Sequence, residues 1–252
     1  VAEGAVQSYQ TIHHNTALPE VTHTLYAINL YANEHNFDVV VHIHFNDYPS
    51  NNGEQKYSGF SIYVPEKQYS NASASREIAQ ALQQQLLMQY PQSNSPVEKD
   101  GVVETQELIA IGSFNTLNAA SVLVEYGYIY ENHFQLSRVR DVVFTELAYS
   151  TYYGLKNFFE NTAPQELTVF TPFKHITEPL ERGDESLAVF ALQRILAEHG
   201  YYPQTGEDIY SCPISGYFGV CTVRSVKAFQ TKHDLPETGY FGPMTLEAIL
   251  KQ

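Results

Sequence analysis

The chain has 252 residues, a formal charge of −14 and two cysteines, with 43% hydrophobic and 13% aromatic residues. That length and composition fit one or two folded domains and exclude a disordered chain. An acidic balance without clustered Lys and Arg excludes nucleic acid as a partner, and no apolar run approaches the roughly 18 residues of a membrane span.

Taken in order, Val1 to Pro19 is polar and irregular, without an initiator Met or a signal peptide, which reads as an incomplete N-terminus. Thr22 to Asn36 follows as a helix with Leu25, Ile28 and Ala32 on one face. Residues 37 to 46, Phe-Asp-Val-Val-Val-His-Ile-His-Phe-Asn, then read as a buried β-branched strand emerging into a loop. Side chains alternate along a strand, so His42, His44 and Asn46 share one face. Two imidazoles two residues apart can both face a crevice, and imidazole is the commonest metal ligand. The other reading of His-x-His is one hydrogen-bonded and one exposed histidine.

Ser58 to Val64 alternates as a strand that Pro65 stops. Ile78, Leu82 and Leu86, four apart, predict a helix over Ser73–Tyr90, and a Pro- and Ser-containing loop follows over 91–106. Leu108–Ile111 and Ser121–Tyr126 read as strands, and Ser137–Phe159 as a helix carrying Val139, Val143, Leu147 and Leu155. The alternation predicts an α/β domain over residues 1–160, with a mostly parallel central sheet flanked by helices. Residues 161–174 read as a linker, in a stretch with Pro164, Pro172 and Pro179. Helices at Leu187–His199, Thr222–His233 and Met244–Leu250 then predict a small all-α, three-helix domain over 175–252. Its cysteines, Cys212 and Cys221, lie in a loop-like stretch and read as a local disulfide, hence an extracytoplasmic protein, with two free thiols as the alternative.

Two resemblances add to this. The pair Leu192-Gln193 comes before Gly216-Tyr217-Phe218-Gly219 and Thr222. The pair Phe229-Gln230 likewise comes before Gly239-Tyr240-Phe241-Gly242 and Thr245. This order closely resembles the peptidoglycan-binding repeat module attached to cell-wall enzymes, with Tyr201, Tyr217 and Tyr240 read either as groove aromatics or as core residues. Val41-His42-Ile43-His44-Phe45-Asn46 resembles the Ser-Ile-His-Ala-Asn motif of zinc-dependent N-acetylmuramoyl-L-alanine amidases. Val122-Leu123-Val124-Glu125-Tyr126-Gly127-Tyr128-Ile129 resembles that family's Val-Leu-Val-Glu-x-Gly-Phe-Ile segment.

The amidase resemblance implies that His44 binds Zn2+ and that Glu125 is the catalytic carboxylate. His42 stands where the family usually has Ser, and strand geometry permits it as a further ligand or a supporting residue. The family draws two more ligands from a Gly-His-Gly-type strand and a downstream Glu on a helix. No such strand occurs here, although His13, His14 and Glu20 are available, so an upstream segment is expected to be missing. The implied reaction is hydrolysis of the amide between N-acetylmuramic acid and L-alanine, by a secreted protein acting on peptidoglycan in the cell wall or periplasm. The sequence does not fix the oligomeric state, and a monomer is the expectation. The alternative is a catalytically inert relative that binds the wall or regulates a partner.

Overall fold

The computed structural model describes residues 19–47, 56–111 and 116–251, with the side chains of 19–25 left aside. The chain divides into two compact units. One comprises Val1–Tyr128 and Ser150–Gln165, the other Ile129–Tyr149 and Glu166–Gln252. Among the described residues, no helix is long and apolar enough to cross a membrane.

The first unit runs α1 (Pro19–Glu34), β1 (Val39–Asn46), β2 (Ser61–Pro65), α2 (Ala72–Leu86), β3 (Val102–Thr105) and β4 (Ala120–Tyr128). The helix α4 (Ser137–Glu160) supplies its later half to this unit. The four strands form one sheet in the order β1-β4-β2-β3. β1 runs parallel to β4 and β2 parallel to β3, while β2 and β4 are antiparallel. The sheet is therefore mixed, with two of its three pairings parallel. β4 lies between two neighbours, and every residue in it is buried except Glu125, which is intermediate. β1 has only β4 beside it among the described strands, so Val39–Val41 are half-buried rather than fully buried and Ile43 is exposed.

Helix α2 packs the face that its four-residue spacing predicts: Ile78, Leu82 and Leu86 are all buried. Gly154 of α4 meets it so closely that a Cβ there would stand 2.8 Å from Leu82 Cδ2 and 2.9 Å from Leu82 Cα. One predicted strand is displaced. Leu108–Ile111 closes a turn, with Ile111 N donating to Leu108 O, and the pairing with β2 is made by Val102–Thr105 instead. Ala110 and Ile111 are nevertheless buried. Apolar composition called for burial, and a turn meets that demand as well as a strand does.

The second unit contains α3 (Asn132–Gln135), the first half of α4, a 3-10 turn at Pro172–His175, and the helices α5 (Leu187–Glu198), α6 (Val220–Lys232) and α7 (Pro243–Ile249). Leu192, Ile195, Leu196, Phe218, Val226, Phe229 and Phe241 fill its core. Ser186 caps α5 by accepting from Val189 N. Two buried glutamines pin the loops that lead into the following helices. Gln193 accepts from Ser215 N and Gly216 N and donates to Tyr217 O and Thr222 Oγ1. Gln230 accepts from Gly239 N and donates to Tyr240 O and Thr245 Oγ1. The duplicated sequence pattern is thus a duplicated hydrogen-bond clamp.

Candidate active site

Register brings the site together. The parallel ladder sets His42 beside Leu123 and His44 beside Glu125, and the antiparallel ladder sets Ser61 beside Glu125 and Tyr63 beside Leu123. Directly opposed residues share a face of the sheet, so one face carries both imidazoles, the carboxylate and the Tyr63 phenol. His44 Nδ1 lies 3.9 Å from Glu125 Oε1. His42 Nε2 and Glu125 Oε2 are buried without a hydrogen-bond partner. Leaving a buried polar atom unpaired costs about 1–3 kcal/mol each, so two on one face call for a functional reason.

The electrostatics differ from those of a surface cluster. Burial pushes the Glu125 carboxyl up from 4.5 to about 7, helped by the negative charge of Glu98. Burial lowers His42 to about 4, with the neighbouring His44 adding to the effect, and burial also lowers His44. Both imidazoles are therefore neutral near pH 7, the state in which imidazole offers a lone pair to a metal.

Glu98 is the residue that sequence reading missed. It sits in the loop before β3, only 2% exposed. Oε1 accepts from Tyr63 Oη at 2.6 Å and Asn46 Nδ2 at 3.0 Å, and Oε2 from Ser93 Oγ at 2.5 Å and Tyr128 Oη at 2.8 Å. The carboxylate thereby ties together β1, β2, β4 and the loop. Tyr63 and Tyr128 are both held above their ordinary range, first by burial and also by the hydrogen bond to Glu98. An acidic residue in a Pro/Ser loop carries no local signal that three donors from distant strands will converge on it beside Ser93 of its own loop.

A sequence profile of the N-acetylmuramoyl-L-alanine amidase family matches residues 6–157, more than half of the chain. The chain belongs to the N-acetylmuramoyl-L-alanine amidase family. A profile of the peptidoglycan binding domain matches residues 185–249. Among solved structures, the chain is similar to the N-acetylmuramyl-L-alanine amidase Ami1 of Mycobacterium smegmatis. Identity there is 18%, with 55% of this chain and 61% of that chain covered at a TM-score of 0.45. It is also similar to the N-acetylmuramoyl-L-alanine amidase of Clostridium difficile 630, at 22% identity, 54% and 65% coverage, and a TM-score of 0.40. The chain thus spans less than two thirds of either relative. No curated protein is a significant match.

Within this family member, the donors on the sheet face suit a divalent metal in kind: two neutral imidazoles, one with a buried unpartnered nitrogen, beside a carboxylate. A catalytic zinc takes three protein ligands, so among the described residues the two imidazoles leave the set short by one. His13 and His14 lie outside the described residues, as does the side chain of Glu20. Among the described residues, the group of metal-type donors that lies within 4.8 Å is Glu207, Cys212 and Cys221. Those sulfurs are joined in a disulfide, with Cα atoms 5.7 Å apart, so they offer no thiolate. Arg224 instead pairs with Glu207 beside them.

Proposed function

We propose that this amidase-family chain is a peptidoglycan hydrolase that cleaves the amide between N-acetylmuramic acid and the L-alanine of the stem peptide. The observation that carries the reading is the pairing of His44 with Glu125 across β1 and β4, at 3.9 Å, on one face of the sheet. His44 would hold zinc through its neutral imidazole, and His42, on the same face with its Nε2 unpartnered, would add a second nitrogen or orient the first. Bound zinc supplies polarisation of the amide carbonyl and lowers the pKa of water from about 16 to about 7.

Glu125 does the proton work. A carboxyl near 7 is divided between its two forms at neutral pH, which suits a group that must first accept a proton and then donate it. It takes the proton of the attacking water and returns it to the departing amine, with Oε1 the oxygen that faces His44. Glu98 cannot share that task, because its two oxygens already accept four hydrogen bonds.

Residues 185–249, by their match to the peptidoglycan binding domain, would hold the enzyme on the wall. The Cys212–Cys221 disulfide supports action in an oxidising, extracytoplasmic compartment. A second reading is an inert wall-binding relative, in line with the described residues offering two imidazoles where a catalytic zinc takes three ligands. Digestion of peptidoglycan read by mass spectrometry, alongside metal analysis, separates the two. The wild type should free stem peptides beginning with L-alanine and carry about one zinc per chain. Glu125→Gln should abolish hydrolysis and retain zinc, and His44→Ala should lose most of the metal. Undiminished turnover by the first variant, or unchanged zinc in the second, removes the assigned role.

A further inference from the structure

The duplicated loop of the second unit contains a residue that the fold does not require. In each copy the first glycine takes a positive φ, +83° at Gly216 and +75° at Gly239. The phenylalanines Phe218 and Phe241 fill the core, and Thr222 and Thr245 are buried partners of the clamping glutamines. The second glycines, Gly219 and Gly242, cap the next helix. Each of these positions has a structural task. Tyr217 and Tyr240 do not share in the core: they are 40% and 42% exposed.

Both tyrosines are nevertheless held in place. Each ring lies against the second glycine of its own loop. A Cβ on Gly219 would stand 3.2 Å from Tyr217 Cε1, and one on Gly242 would stand 2.5 Å from Tyr240 Cε1. Glycine at that point gives the ring a seat. The backbone beneath is fixed at both ends. Tyr217 O accepts from Gln193 while its N donates to Ser215 Oγ, and Tyr240 O accepts from Gln230 while its N donates to Thr238 Oγ1. The third aromatic of the unit considered from sequence, Tyr201, is different. It packs edge-on against Phe229 at 5.2 Å and reaches His233, so it is half-buried against the core rather than exposed.

We propose that Tyr217 and Tyr240 are twin stacking platforms for the pyranose rings of the glycan strand. The proposal rests on residues 185–249 being a wall-binding module. A flat, amphipathic, pre-ordered ring is suited to the apolar face of a sugar, and the entropy of fixing it has been spent in folding. A charged stem peptide would need charged partners, which a phenol does not supply. Two copies of the same exposed residue in one module fit a polymer that repeats the same ring.

The test uses the full chain and triacetylchitotriose, a soluble β-1,4-linked N-acetylglucosamine trimer that lacks the amide cleaved in peptidoglycan. The chain contains no Trp, so tyrosine fluorescence or NMR reads the binding without a tryptophan background. Tyr217→Ala and Tyr240→Ala should each weaken binding about 5-fold, and the pair together about 25-fold or more. Tyr→Phe at both positions should keep most of the affinity, whereas Tyr→Leu, which preserves apolar bulk without a flat ring, should lose it. Tyr152→Ala, at an exposed tyrosine of α4, should change nothing. The proposal is overturned if the wild type does not bind the trimer, or if the double Leu variant binds as well as the wild type. Sedimentation with insoluble peptidoglycan separates this from the wall-binding reading. A chain that sediments but ignores the trimer keeps the module and loses the platforms, whereas one that does neither loses both.

Discussion

Glu125 makes a quantitative stability test possible in the metal-free chain. Its side chain is only 15% exposed, and one oxygen has no partner. Burial, with the Glu98 charge second, raises its pKa from 4.5 to about 7. The folded chain therefore keeps the proton up to about pH 7, while the unfolded chain releases it near 4.5. Between those values the folded state binds more protons, so stability falls as pH rises through the window and stays low above it. At about 1.4 kcal/mol per pH unit, the ionised carboxylate costs the fold about 3 kcal/mol at pH 8. Glu125→Gln removes the charge and keeps the shape. After chelation it should be more stable than the wild type by about 3 kcal/mol at pH 8, or roughly 6–12 °C in Tm for a chain of this size. At pH 4 the difference should vanish, because both side chains are then neutral. The titration of His42 and His44 occurs in both proteins and cancels in the comparison. Urea unfolding followed by circular dichroism at the two pH values reads the effect. Equal stability at pH 8, or a gain of the same size at pH 4, would refute the account.

Two further tests address the second unit. Gln193→Leu leaves Ser215 N, Gly216 N, Tyr217 O and Thr222 Oγ1 without their partner. It should destabilise that unit by about 2–4 kcal/mol in chemical denaturation, and a loss under about 1 kcal/mol would show the clamp to be dispensable. Replacing Cys212 and Cys221 by Ser opens a loop with a sequence separation of 9. Chain entropy puts the loss at about 2–3 kcal/mol, and adding reductant to the wild type should reproduce it.

Much of the candidate site was legible because its two main residues sit in locally patterned strands. Val39–Val41 leads into His42 and His44, and Val122–Val124 leads into Glu125, so alternation alone fixes which side chains share a face within each strand. The register that sets His44 beside Glu125 comes from neither strand by itself. The same limit explains the displaced strand. Leu108–Ile111 is apolar and buries Ala110 and Ile111, but the edge of β2 was taken by Val102–Thr105, whose Val-Val-Glu-Thr sequence gives a weaker hydrophobic signal.

From sequence alone came the two-part α/β and all-α plan, the buried faces of α2 and of the first half of α4, the disulfide and the family motifs, whereas the face expected of α1 did not hold, since Ile28 is 46% exposed. All of these depend on residues close together in the chain or repeated at a regular interval. Tertiary structure decided the antiparallel pairing of β2 with β4, the four-donor cradle of Glu98 and the exposure of Tyr217 and Tyr240 where Tyr201 is half-buried. Tertiary structure likewise pushed the Glu125 carboxyl to about 7. Local spacing can state that a side chain will be buried. It cannot state what will be buried next to it, and the neighbours determine hydrogen bonds, dielectric and charge.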